Sequence, residues 1–134
     1  MPLAASPLAT ALPADRPIRV LIADDQSLIR RGLVAILNME DGMEVVGEAC
    51  DGQQALDLWH QTRPDILLMD LRMPGMGGLD AIRKLRADEP EAAVIVLTTF
   101  DHDEDVYACL RAGARSYLLK DVQPEELFGC IRAI

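Results

Sequence analysis

The sequence predicts an α/β domain: a doubly wound parallel sheet of five strands with helices on both faces. Three observations predict it. Apolar runs alternate with amphipathic stretches five times between residues 18 and 134. The run at 93–98 is nearly all apolar, as a strand covered on both faces must be. Acidic and polar residues stand just past the runs, at the strand ends where open parallel sheets bind ligands. Alternation of this kind gives a parallel sheet with right-handed crossovers.

Taken in order, the first strand is Ile18 to Ala23. A helix follows over Ser27 to Asn38, with Ile29, Leu33, Ile36 and Leu37 recurring on one face. The second strand is Met43 to Ala49. Its helix spans Gln53 to Thr62, buries Ala55, Leu56 and Trp59, and stops ahead of Pro64. The third strand is Asp65 to Asp70, after which Gly77-Gly78 opens a helix with Leu79, Ile82 and Leu85 inward. The fourth strand is Ala93 to Thr98. The acidic run Asp101 to Asp105 suits a helix start, where carboxylates meet the positive end of the dipole. That fourth helix runs to Arg111 and is capped by Gly113. The short fifth strand is Ser116 to Leu119. Pro124, with Glu125 and Glu126, opens the last helix, whose Leu127, Cys130, Ile131 and Ile134 form an apolar stripe. Residues 1–17, rich in Ala and Pro, are expected to be a flexible tail, and 18–134 the domain. The chain stops on an apolar helix face without a cap, which predicts a domain cut from a longer protein.

Composition excludes several classes. A net charge of −9 argues against this segment gripping nucleic acid or an anionic membrane. The longest apolar run, Ala92 to Leu97, is far short of the ~20 residues of a membrane span. Cys50, Cys109 and Cys130 are dispersed and form no C-x-x-C pair. They are read as reduced core or helix-face residues, and so place the chain in the cytoplasm. His60 and His102 have no partner at metal-ligand spacing.

The chemistry concentrates at strand tips. Asp70 ends the third strand, immediately before the turn-rich stretch 71–78. Asp24 and Asp25 follow the first strand. If these strands are parallel neighbours, three carboxylates converge. Like charges ~4 Å apart cost ~4 kcal/mol at an effective dielectric of 20, so such a cluster raises a pKa or captures a cation. The ordinary reading of Asp24-Asp25, a helix N-cap with an acidic neighbour, leaves that repulsion uncompensated except by Lys120, one of only two lysines.

Together with Thr98, Tyr117 and Lys120 at later strand ends, these residues resemble the receiver domain of two-component response regulators. The pieces that carry the resemblance are Ala23-Asp24-Asp25, Leu68-Met69-Asp70-Leu71-Arg72-Met73-Pro74-Gly75-Met76-Gly77-Gly78, Leu97-Thr98-Thr99-Phe100 and Tyr117-Leu118-Leu119-Lys120. The resemblance covers Ile18 to Ile134 and implies a flavodoxin-like (βα)5 fold with strand order 2-1-3-4-5, the order of the chemotaxis receivers. It implies that Asp70 is the phosphoacceptor, and that Asp25 and Asp70, Asp24 through water and the Arg72 carbonyl hold Mg²⁺. It implies further that Lys120 neutralises the phosphoryl group, Thr98 is the switch hydroxyl and Tyr117 the switch aromatic. The cis Pro that often follows the lysine is replaced by Asp121, so no cis bond is expected there.

The implied donor is a sensor histidine kinase, with small phosphodonors such as acetyl phosphate as substitutes. The chain would catalyse only its own phosphorylation and dephosphorylation. The implied output surface is the fourth helix, fifth strand and fifth helix, used for example in a homodimer. Residues 98–101 and 118–127 resemble the NarL/FixJ-type, LuxR-like branch, in which a helix-turn-helix domain follows. DNA binding and transcriptional control would therefore belong to a downstream domain. Arg72 and Phe100 flank the site and are expected to tune phosphate lifetime. Three alternatives compete. A Mg²⁺-dependent phosphohydrolase usually has a second Asp two residues after the nucleophile, where this chain has Arg72. A nucleotide or flavin module would need a glycine-rich or Walker loop after the first strand. The third is a degenerate receiver that binds partners without phosphorylation.

Overall fold

The computed structural model describes residues 16–99 and 104–134. Strands β1 (Ile18–Ala23), β2 (Met43–Ala49), β3 (Ile66–Asp70), β4 (Val94–Thr98) and β5 (Ser116–Leu119) alternate with helices α1 (Ser27–Met39), α2 (Gly52–Thr62), α3 (Gly78–Asp88), α4 (Glu104–Ala112) and α5 (Pro124–Ala133). All strand pairs are parallel, in the order β2-β1-β3-β4-β5. The order reverses between β1 and β3, and that switch point opens a crevice at their carboxyl ends.

Strand alternation divides the apolar side chains between two cores. Leu21, Ala23, Leu67, Met69, Val94 and Val96 face α2, α3 and α4, against Trp59, Ile82, Leu85 and Val106. Val20, Ile22, Leu68, Ile95 and Leu97 face α1 and α5, against Leu37, Leu127 and Ile131. Every residue of β3 and β4 is buried, which is why those two runs carry no polar alternation. Burying such a side chain stabilises the fold by about 1.5–3 kcal/mol.

The expected elements form with small boundary shifts. Helix α1 runs one residue further, to Met39, and α2 begins one residue earlier, at Gly52. Asp65 precedes β3 rather than opening it, because its carboxylate accepts from the Arg19 amide at 2.8 Å and pairs with Arg16 at 2.9 Å. Arg16 is thereby paired with the residue that precedes β3. Ala93 likewise lies just before β4, and α4 ends at Ala112. Cys109 is buried and Cys130 half-buried, but Cys50 is exposed in the bend after β2, not in a core or on a helix. Ile134 lies past α5 and is exposed, so the apolar stripe ends at Ile131. The expectations for residues 1–15, Phe100, His102 and the start of the acidic run, 101–103, lie outside the described residues.

Two glycines set the geometry near the crevice and below it. A Cβ on Gly78 would fall 2.6 Å from the Asp70 carbonyl oxygen, so only glycine lets α3 start this close to the tip of β3. Gly113 has φ +121°, closes α4 and packs against the Arg86 side chain.

Candidate functional site

Sheet register builds the site. Ala23 is opposite Met69, so Asp24 and Asp70 emerge side by side from β1 and β3. Thr98 is opposite Leu119, so Lys120 leaves β5 beside the end of β4. Its amide donates to the Thr98 carbonyl at 2.8 Å, which fixes where the lysine side chain starts. The Leu71 amide donates to the Leu97 carbonyl at 3.1 Å and holds the tip of β3 in the same way.

The side chains then converge. One oxygen from each of Asp24, Asp25 and Asp70 lies within 4.8 Å of the others. The Lys120 ammonium stands 3.1 Å from Asp24 Oδ2 and 3.1 Å from Asp70 Oδ2, and donates to Gln26 Oε1 at 2.6 Å. Asp24 is fully buried and Asp70 and Thr98 nearly so, whereas Asp25 is exposed. Asp25, Gln26, Asp70, Arg72, Thr98, Thr99 and Lys120 line an open cleft of about 340 Å³.

Electrostatics follow from that crowding. Burial, then the neighbouring Asp24 charge, push the Asp70 pKa up from 3.8 to about 6, against the opposing pull of Lys120. One ammonium thus serves two buried carboxylates and does not fully offset their repulsion. Asp24 Oδ1 accepts from the Gln26 amide at 2.8 Å. Its Oδ2 is buried and has no hydrogen bond among the described residues, despite lying at ion-pair distance from Lys120. A buried carboxylate oxygen of this kind, an elevated neighbour and an all-oxygen donor set fit a hard divalent cation, and Mg²⁺ suits a site of few carboxylates and several waters.

The remaining expected residues are distributed differently. The Arg72 amide reaches Asp70 Oδ1 at 3.4 Å, while its guanidinium turns outward to Asp105, also at 3.4 Å. Tyr117 does not line the cleft. It is 37% exposed and borders a separate hollow with Leu118, Leu119, Val122 and Glu126. Among the described residues no peptide bond is cis, in keeping with Asp121 after Lys120.

Sequence reading misses Gln26 and Arg30. Gln26 is the N-cap of α1, where the sequence makes Asp24-Asp25 the ordinary candidates, and its side chain binds Lys120 from 94 positions away. Arg30 is 8% exposed and donates to the Asp24 carbonyl at 2.8 Å and to Glu48 Oε1 at 3.0 Å. One signal was available: Arg30, Leu33 and Leu37 recur at i, i+3 and i+7, so this arginine stands on the inward face.

Comparison with known proteins gives a consistent result. Residues 20–132 match the profile of the response regulator receiver domain. The chain is 47% identical over 122 residues to the nitrate/nitrite response regulator protein NarP of Escherichia coli, covering 91% of this chain and 57% of that protein. It is 43% identical over 116 residues to the transcriptional regulatory protein LiaR of Bacillus subtilis, covering 87% and 55%. The chain thus spans a little over half the length of these relatives. A LuxR-family two-component response regulator from Aurantimonas superposes with TM-score 0.82 at 33% identity, over 87% of this chain and 84% of that one.

Proposed function

Because the chain belongs to the response regulator receiver family, in its NarL/LuxR-type branch, we propose that it accepts a phosphoryl group on Asp70 from a sensor histidine kinase, with Mg²⁺ bound. The observation that carries this reading is a buried Asp70 beside two further aspartates, with the Lys120 ammonium at 3.1 Å.

An Asp70 oxygen attacks phosphorus, the P–N bond of the donor phosphohistidine breaks, and an acyl phosphate forms while the imidazole leaves with the electron pair. Transfer of this kind passes through a loose transition state with charge on the equatorial oxygens, so the protein positions and neutralises. Lys120 supplies one fixed positive charge at those oxygens, and the Thr98 hydroxyl supplies a hydrogen-bond donor. Asp24, Asp25, Asp70 and the Arg72 carbonyl would hold the Mg²⁺, which when bound lowers the repulsion between the incoming phosphoryl group and the carboxylates. The raised pKa of Asp70 keeps it partly protonated near neutral pH, so filling the cation site also favours the nucleophilic form. Acetyl phosphate can replace the kinase, with acetate leaving. Attack by water on the same phosphorus resets the domain.

Phosphate changes the population of a second state only through contacts that differ between the states. Thr98 drawn to the phosphoryl group vacates room for Tyr117, which is partly exposed here, and the α4-β5-α5 face is reshaped. That face, used in a homodimer, passes the signal to a downstream DNA-binding domain of the longer cytoplasmic protein, giving transcriptional control. The test is intact mass after incubation with acetyl phosphate and Mg²⁺. Wild type should gain one phosphoryl group, and neither Asp70→Asn nor wild type in EDTA should. No adduct from acetyl phosphate or from a kinase would instead favour a receiver that works without phosphorylation.

A further inference from the structure

Among the described residues, the buried polar or charged side chains are Asp24, Arg30, Asp70 and Thr98. Phosphoryl chemistry accounts for three of them and leaves Arg30. A buried guanidinium is costly unless paired and hydrogen-bonded, so its contacts indicate what it is kept for. Nη1 donates to the backbone carbonyl of Asp24 at 2.8 Å and Nε to Glu48 Oε1 on β2 at 3.0 Å. Arg31, on the exposed side of α1, approaches the same Glu48 oxygen at 3.5 Å.

The Asp24 carbonyl and the Asp25 amide belong to one planar peptide. Fixing that carbonyl fixes the plane, and with it the position of the Asp25 Cα from which the side chain starts. Asp24 is otherwise anchored by its amide, which donates to the Ala49 carbonyl at 3.0 Å, and by its Oδ1, which accepts from Gln26 at 2.8 Å. The Asp25 side chain is exposed. Its approach to Asp70 therefore depends on the backbone beneath it.

We propose that Arg30 is a positioning residue that holds the Asp24–Asp25 peptide against Glu48 of β2 and so sets the affinity of the acidic cluster for a divalent cation. This rests on the receiver reading above and adds a residue to it. The guanidinium does not line the cleft. It acts as outer groups do at metal sites, by orienting a ligand, and loss of such partners typically weakens binding tenfold to a hundredfold.

The test is Mg²⁺ titration of the metal-free chain by calorimetry, for wild type, Arg30→Met, Arg30→Lys and Glu48→Gln. Arg30→Met, which keeps the buried stem, should raise the Mg²⁺ Kd about tenfold or more. The Mg²⁺ concentration for half-maximal adduct formation from acetyl phosphate should rise by the same factor. Arg30→Lys can reach one acceptor but not both and should fall between, and it serves alone should Arg30→Met not fold. Glu48→Gln should weaken Mg²⁺ less than Arg30→Met. A lower metal-free melting temperature with an unchanged Kd would make Arg30 a packing residue and overturn the proposal. Wild type that binds no Mg²⁺ would overturn both this inference and the receiver reading. Wild type that binds Mg²⁺ and forms the adduct, with variants of equal affinity, would overturn this inference alone.

Discussion

Removing the charge of Asp70 should stabilise the metal-free domain, although Asp70 stands at the centre of the site. Its pKa is about 6 against an ordinary 3.8, through burial first and Asp24 second, with Lys120 opposing. A carboxylate raised in this way makes the fold most stable below pH 3.8, progressively less so as pH rises toward 6, and constant above that. The full ionisation cost from such a shift is about 3 kcal/mol. The cleft is open on the Asp25 side, and Lys120 loses a charged partner on substitution, so the net gain for Asp70→Asn at pH 8 is about 1–2 kcal/mol. For a domain of this size that is a rise in Tm of roughly 3–8 °C. The assay is thermal unfolding by circular dichroism in EDTA at pH 8 and pH 4.5. The gap should be widest at pH 8 and shrink to about a third of that at pH 4.5, where Asp70 is protonated in the folded wild type but still ionises on unfolding. A variant that melts lower than wild type at pH 8, or a gap of equal size at both pH values, would mean that the Asp70 charge does not destabilise the fold.

Mg²⁺ at 100 times its Kd should stabilise wild type by about 2.7 kcal/mol, and should leave Asp25→Ala and Asp70→Asn nearly unmoved in the same melts. Lys120→Met strands two buried carboxylates, so metal-free stability at pH 8 should fall by roughly 2 kcal/mol, less than the full loss of a buried pair because one carboxylate can take up a proton. Adduct formation from acetyl phosphate should slow at least tenfold, read by intact mass over time. Gly78→Ala drives a Cβ into the Asp70 carbonyl. It should cost about 2 kcal/mol in urea unfolding and reduce adduct yield, whereas Gly32→Ala on α1, where a Cβ meets nothing within 4 Å, should be neutral or stabilising.

The fold was legible because its signals are local. The uniformly apolar runs ending at Asp70 and Thr98, the helix opening at Gly78 and the cap at Gly113 all formed where the pattern placed them. The acidic cluster was legible because β1 and β3 are neighbours, which turns a strand-tip coincidence into three oxygens within 4.8 Å. What escaped depends on long-range polar geometry. Gln26 reads as an unremarkable helix-start residue until Lys120 arrives from the far end of the chain. Arg30 sits beside Arg31, and nothing in their chemistry says that one is buried and one exposed. Only the helical phase separates them. The Asp51 cap of α2, whose Oδ1 accepts from Gln54 at 2.8 Å, is equally plain in spacing, yet the apolar pattern starts only beyond it and draws the eye past. The outward Tyr117 was beyond sequence, because the pattern marks the strand position and not the direction of its ring.

The carboxylate of residue 70, and no other, is proposed as the nucleophile of a cation-assisted phosphoryl acceptor. Borohydride reduces an aspartyl phosphate to homoserine, so the wild-type chain can be treated with acetyl phosphate and Mg²⁺, reduced and fragmented by mass spectrometry. Homoserine should appear at residue 70 alone and vanish in EDTA. Homoserine at residue 24 or 25, or an adduct that forms equally well without the metal, would rule out Asp70 as a cation-assisted nucleophile.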